Sequence, residues 1–244
     1  MKVRYSAGHV WRYIVSGLKE LIKEGVFIFS EDGVRFRALD PSHVVMIDMY
    51  FPRESFSEYE VNEEIKVPLN IEELARVFRR AGKKDSLIME LAGDKLKIIF
   101  EGRFQRVFYE PLISLEYTEI GEIKAPFKVD IRLASSIFQE SIKDIEPVGE
   151  ILGLEADNEK LILFNEGETA KAVIELTPES GIISSIVEEP QRSIYSYEYI
   201  DAFLPVSKVA DTVRIQFSSE MPLKLTYELA EGAWFTTYVA PRAE

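Results

Sequence analysis

Residues 127–145 read FKVDIRLASSIFQESIKDI, and residues 1–22 read MKVRYSAGHVWRYIVSGLKELI. Each is a short alternating stretch, a small polar break and then apolar residues at helical spacing, which predicts a strand followed by an amphipathic helix. The same opening met twice in 244 residues makes an internal repeat the first property to test, because a repeat decides the whole fold.

The parallel continues at nearly constant offset. Residues 26–39, VFIFSEDGVRFRAL, alternate like a hairpin around Asp32-Gly33, and residues 151–164, ILGLEADNEKLILF, do so around Asp157-Asn158. Residues 86–100, SLIMELAGDKLKIIF, match residues 212–227, TVRIQFSSEMPLKLTY, as two strands around a polar turn. Ahead of these pairs stand helical stretches over 71–81 and 197–204, the second stopped by Pro205. The pattern predicts an α+β protein of two similar domains, 1–114 and 127–244. Residues 115–126 join them as a linker, with the boundary near EYTEIGEIKAPF (116–127).

Composition narrows the chemistry. There is no cysteine and only two histidines, His9 and His43, so disulfides, thiolate metal sites and imidazole-based catalysis have almost nothing to work with. No run approaches the roughly 18 apolar residues of a membrane helix and the opening has no apolar signal core, so a cytoplasmic protein is expected. The phosphate-loop, dinucleotide, HExxH and GxSxG motifs are absent. Acidic clusters sit beside turns without a His or Lys partner, and His43 as a base would lack an activating group. No catalytic residue, metal or cofactor is expected, although carboxylates converging on magnesium would make a DNA-processing enzyme, and a monomeric peptide-binding module is a third class.

The net charge is −13, unevenly placed: residues 1–126 hold 19 Lys and Arg against 21 Asp and Glu, residues 127–244 hold 10 against 21. Residues 76–84, RVFRRAGKK, gather five cations. On the first helix Trp11, Ile14, Leu18, Leu21 and Ile22 share one face, Arg12, Ser16, Lys19 and Lys23 another. On the second, Ile71, Leu74, Val77, Phe78 and Ala81 face the core while Arg76, Arg80 and Lys83 align at i, i+4 and i+7, flanked by Arg79 and Lys84. Solvation requires polarity but not one sign, so a cationic face on an acidic protein points to a polyanion met there, held without base readout and sensitive to salt.

Three segments carry a family resemblance: ALDPSHVVMIDMYF (38–51), MPLKLTYELAEGAWFTTYVAPRAE (221–244) and DIEPVGEILGLEA (144–156). In order and at appropriate separations, they resemble the archaeal and eukaryotic DNA sliding clamp, the proliferating cell nuclear antigen family, over essentially the whole chain. The resemblance implies a non-enzymatic, three-subunit ring of two-domain subunits, with helices lining a hole for double-stranded DNA and antiparallel sheets outside. It would serve as processivity factor and scaffold in DNA replication and repair, associated with the nucleoid. The DNA-facing residues would be Arg12, Lys19, Lys23, Arg76, Arg79, Arg80, Lys83 and Lys84, with Lys143 and Lys208 in the second domain. Subunits would join through Val107, Phe108 and Tyr109 of one chain against Lys171, Ala172, Val173 and Ile174 of the next, with Phe78 packed alongside. DNA polymerase, clamp loader, flap endonuclease and DNA ligase would dock by short hydrophobic and aromatic peptides. Their pocket would comprise Leu39, His43, Val44, Met46, Ile120, Ile123, Pro222, Tyr238, Val239, Ala240 and Pro241. Glu140, Glu198 and Asp201 depart from a uniformly positive lining, which suggests a ring of unlike subunits.

Overall fold

The computed structural model describes residues 1–242, the side chain of Pro147 excepted, so the last two residues of the second domain lie outside the described residues. The chain forms two compact units, one built from residues 1–41, 47–120 and 230–235, the other from 42–46, 121–229 and the stretch from 236 onward.

In the first unit, β1 (Lys2–Tyr5) leads into α1 (Gly8–Leu21), followed by β2 (Glu24–Ser30), β3 (Gly33–Leu39), β4 (Val45–Pro52), β5 (Glu58–Glu60) and β6 (Ile65–Asn70). Helix α2 (Ile71–Phe78) and strands β7 (Ser86–Ala92), β8 (Lys95–Glu101) and β9 (Gln105–Pro111) complete it. One sheet runs β5-β1-β7-β8-β9 and another group runs β4-β3-β2-β6. Both sheets bury against the helices through aromatic rings. Trp11 of α1, 1% exposed, stacks on Phe51 of β4 at 4.6 Å between centroids and lies near Phe27 and Phe78, while Phe78 meets Phe100 of β8 edge-on.

The second unit contains β10 (Val129–Ala134), α3 (Ser135–Ile145), β11 (Ile151–Ala156), β12 (Leu161–Glu166), β13 (Lys171–Leu176), β14 (Ile182–Val187) and β15 (Gln191–Ser196). Then come α4 (Tyr197–Asp201), α5 (Leu204–Ser207), β16 (Thr212–Phe217), β17 (Leu223–Glu228) and β18 (Trp234–Val239). Its strand orders, β14-β10-β16-β17-β18 and β13-β12-β11-β15, repeat those of the first unit position for position. The internal repeat read from the sequence is therefore a repeat of topology. It extends to a packing detail: the Phe36 ring of β3 covers Gly25 of β2, and the Phe164 ring of β12 covers Gly153 of β11, leaving no room for a Cβ at either glycine.

Local details depart from expectation for identifiable reasons. The first hairpin turns on Glu31-Asp32, because Gly33 already pairs with Ser30 and, at φ 152°, is the residue that can start β3 there. The second needs four residues, 157–160. The Asp157 carboxylate accepts the Glu159 and Lys160 N–H groups at 2.8 and 2.9 Å, which holds its pKa below the ordinary carboxylate value. Helix α2 stops at Phe78 instead of reaching Ala81. The stretch from Tyr197 breaks into two helices, and Pro205 does not end it but sits in the first turn of α5, where no N–H is needed.

Two outcomes follow for stability. Gly153→Ala drives a methyl into the Phe164 ring and should lower unfolding free energy by about 1–3 kcal/mol, read by urea denaturation. Glu110 of β9 has its pKa raised, first by burial and then by Glu73, so the folded state holds this proton more readily than the unfolded chain. Its contribution to stability is therefore full below the unfolded value and declines as pH rises through the folded one. Glu110→Gln should flatten that decline in urea titrations run upward from the ordinary glutamate range.

Candidate nucleic-acid interface and sheet edges

Helices α1 and α2 pack against each other, and the first unit's cations are arranged on and after them. Arg12 is exposed, its guanidinium 5.8 Å from the Tyr13 ring centroid, Lys19 pairs with Glu20 at 2.8 Å, and Lys23 is exposed just beyond α1. Two parts of the expected face change. Arg76 is held at 2.8 Å by both Glu72 and Glu73, one turn earlier on α2, so its charge is answered within the helix. Such exposed pairs add little stability, but they remove a one-sign reading at that position. The i, i+4, i+7 alignment also fails, because α2 ends at Phe78 and places Arg79, Arg80, Lys83 and Lys84 in the loop before β7. All four are exposed. The cations thus concentrate on a loop rather than along a helix.

In the second unit Lys143 on α3 is exposed beside Asp144 and near exposed Glu140. Lys208 follows α5, and exposed Glu198 and Asp201 lie on α4. The mixed signs expected there are present.

Strand β9 is the outer strand of the first unit's five-stranded sheet and β13 the outer strand of the second unit's four-stranded sheet. Within its own sheet each is hydrogen-bonded on one side only, and both expose apolar side chains there. Val107 is 40% exposed, Tyr109 55% and Val173 49%, while Phe108, Ala172 and Ile174 are half-buried and Lys171 is exposed. An exposed apolar strand edge is a template for pairing with another chain. Phe78, expected at the subunit junction, is 1% exposed and enclosed by Trp11 and Phe100. It belongs to the core, because the aromatic contacts that pin α2 to the sheets consume its whole surface.

The peptide-pocket candidates fall into two groups. In the first unit Leu39 ends β3 with 38% of its surface exposed, and half-buried Ile120 is pinned in place. Arg37 Nη1 donates to the Ile120 carbonyl at 2.7 Å while Nη2 bonds Asp48 at 2.6 Å. The Lys66 ammonium lies 4.7 Å from the Tyr117 ring centroid, so this part of the irregular segment is a fixed strap. In the second unit His43 is exposed with a left-handed backbone, φ 58°, and the Val44 carbonyl accepts the Ala240 N–H at 2.9 Å. Ile123, Pro222, Ala240 and Pro241 are half-buried, and Lys224 sits over the Tyr238 ring. Met46 and Val239, 3% and 0% exposed, are corrections to the pocket list, as is Tyr238 at 8%. They lie in runs of consecutive buried residues, 45–49 on β4 and 235–239 on β18, so both faces of these strand segments are covered.

Sequence reading missed the Glu72 and Glu73 partners of Arg76, although their spacing in IEELARVF carries the signal, and it missed Arg37, which has no motif. Among the described residues, no three His, Asp or Glu side chains converge as metal ligands would, and no helix is long and apolar enough to cross a membrane.

Residues 1–120 match the family profile described as "Proliferating cell nuclear antigen, N-terminal domain", and residues 122–242 match its C-terminal counterpart. The chain is 36% identical over 242 residues to "DNA polymerase sliding clamp 3" of Aeropyrum pernix, covering 98% of this chain and 97% of that one. It is 35% identical to the "DNA polymerase sliding clamp" of Thermococcus gammatolerans, covering 95% and 94%. One chain of a PCNA2–PCNA3 complex from Sulfolobus tokodaii superposes with a TM-score of 0.95 at 32% identity, covering 100% of this chain and of that one. PCNA of Thermococcus kodakaraensis superposes with a TM-score of 0.92 at 25% identity, covering 99% of each. With both halves matched in order and relatives aligned end to end, the chain belongs to the proliferating cell nuclear antigen family of DNA polymerase sliding clamps, which act without catalysing a reaction.

Proposed function

We propose that this chain joins two further clamp subunits head to tail in a ring around double-stranded DNA, with domains 1–114 and 127–244 about a connecting linker at 115–126. The observation that carries this reading is the pair of unlike sheet edges, β9 and β13, each with exposed apolar side chains. Two different edges on one chain make a heterologous contact, which closes into a ring when the rotation per subunit is right. The acidic second-unit helices, and the relative solved as a PCNA2–PCNA3 complex, favour a ring of unlike subunits.

Enclosure separates retention from affinity. A closed ring stays on the duplex even when each cation contributes little, so phosphate contacts without base readout permit sliding. Arg79, Arg80, Lys83 and Lys84 supply most of this contact, with Arg12, Lys19, Lys23, Lys143 and Lys208 adding to it and Arg76 contributing least. DNA polymerase, clamp loader, flap endonuclease and ligase partners dock by short hydrophobic and aromatic peptides at the sites containing Leu39, Ile120, His43 and Pro241. Such work places the ring in the cytoplasm on the nucleoid.

Sedimentation of the chain alone and with sister clamp subunits tests assembly: a trimer mass is expected, and a monomer under every mixture would overturn the ring. Val107→Glu with Tyr109→Glu, or Val173→Glu alone, should abolish the trimer while leaving the circular dichroism spectrum unchanged, because these side chains are exposed. The assembled ring should remain on circular DNA and run off linear DNA, whereas equal loss from both would contradict enclosure. Replacing Arg79, Arg80, Lys83 and Lys84 by Gln should flatten the dependence of log affinity on log salt by about 0.9 for each phosphate that is no longer neutralised. Arg76→Gln should change it far less. A fluorescent peptide carrying one Leu and two Phe should bind at least about tenfold more weakly to the Leu39→Ala, Ile120→Ala, Pro241→Ala variant, and unchanged binding would remove the site assignment.

A further inference from the structure

The loop between α2 and β7 carries four exposed cations, and its path is set by one carboxylate. Asp85, at the loop's end, is 6% exposed. The Gly82 N–H donates to its Oδ2 at 2.5 Å, and Arg106 Nη2 donates to the same oxygen. The Asp85 backbone carbonyl accepts the N–H of Gly8, the first residue of α1, at 2.8 Å. Arg106 Nη1 donates to the Arg80 carbonyl at 2.7 Å, inside the cationic loop itself. Gly102, in the turn before β9, lies so close to the Asp85 carboxylate that a Cβ there would collide with it. The Asp85 carboxylate and the Arg106 guanidinium therefore tie the loop bearing Arg79, Arg80, Lys83 and Lys84 to strand β9, and the Asp85 backbone carbonyl ties the same residue to the start of α1.

Arg106 belongs to β9, the strand with a free outer edge. Side chains alternate along a strand, so while Val107 and Tyr109 are exposed, Arg106 reaches to Asp85 from the other side. A buried carboxylate needs its partners, since an uncompensated one is strongly unfavourable. Holding Arg106 in place thus holds the loop. A strand bonded on one side only opens more readily than one bonded on both.

We propose that Arg106 is a positioning residue that couples pairing of the β9 edge to the placement of the loop cations. Pairing with a neighbouring subunit fixes the β9 backbone, Arg106 then holds Asp85 and the Arg80 carbonyl, and residues 79–84 keep one geometry toward phosphate. In the unassembled chain the same loop loosens, so a lone subunit contacts DNA more weakly per cation than a ring subunit does. The proposal rests on the reading of β9 as a subunit edge and of the loop as phosphate-facing.

Amide hydrogen exchange over residues 79–85 tests it, in the chain alone and in the ring assembled with its sister subunits. Exchange at Gly82 should slow by about tenfold or more on assembly. Arg106→Met should assemble to the same mass yet lose that slowing, and its DNA affinity should depend less steeply on salt. Arg106→Lys keeps the charge but lacks the fork that reaches both acceptors, so it should restore the effect only in part. Should Arg106→Met fail to fold, Asp85→Asn combined with Arg106→Met removes the stranded charge and takes its place in the same measurement.

A ring whose assembly leaves exchange at 79–85 unchanged would overturn the coupling while leaving the subunit-edge reading standing. So would an Arg106→Met ring that keeps the full slowing. An unaltered salt dependence in the four-cation Gln variant would instead remove the phosphate-facing reading, and with it the consequence for DNA. The exchange experiment alone would then decide the mechanical link.

Discussion

A strand at the end of a sheet leaves half of its backbone N–H and C=O groups without a partner in that sheet, and when its side chains are also apolar the surface favours pairing with another chain. In this protein that constraint falls on β9 and β13, and also on β14, an outer strand whose Ile183 and Ile186 are 57% and 66% exposed. The charged edge strand β5 shows the contrast. It is three residues long, reads Glu58-Tyr59-Glu60, and is guarded by ion pairs from Lys2 and Arg4 to Glu58. β9 instead exposes Val107 and Tyr109, and β13 exposes Val173 between Lys171 and Glu175, which pair with Glu166 and Lys160. In the proposed ring, β9 and β13 are the edges where association supplies what folding leaves unsatisfied.

The charge distribution follows a similar logic. A clamp that slides needs weak and interchangeable phosphate contacts. On the proposed reading, the loop cations Arg79, Arg80, Lys83 and Lys84 meet that need, since they share a position without sharing a helical register. Arg76 shows the opposite arrangement, a guanidinium answered by Glu72 and Glu73 on its own helix. The first unit thereby distinguishes cations that support its helix from cations that face outward, although the sequence places them side by side.

The strap over residues 113–120 has no regular hydrogen bonding of its own, and it is fixed by what it meets. The Pro68 carbonyl accepts the Ile113 N–H, Lys66 covers Tyr117, and the Arg37–Asp48 pair presents a donor to the Ile120 carbonyl. If partner peptides dock here as proposed, a wall anchored in this way gives them a prepared surface, which lowers the ordering entropy that binding must overcome.

By itself the sequence determined the repeat, because hydrophobic periodicity and turn chemistry are local and recur at a nearly constant offset. It also determined the placement of α1, α2 and α3, the hairpins, and the family, since the segments around His43, Gly149 and Pro222 are linear patterns. Tertiary structure alone decided where α2 stops, that Pro205 opens a short helix, and that Met46 and Val239 belong to the interior. Burial of an apolar residue depends on which surface arrives to cover it, and an alternating strand looks alike whether its partner is the core or another protein. The roles of Arg37 and Arg106 were equally out of reach, because Arg37 bonds a residue 83 positions away and Arg106 bonds residues 26 and 21 positions away. Such pairings exist only once the sheets have formed.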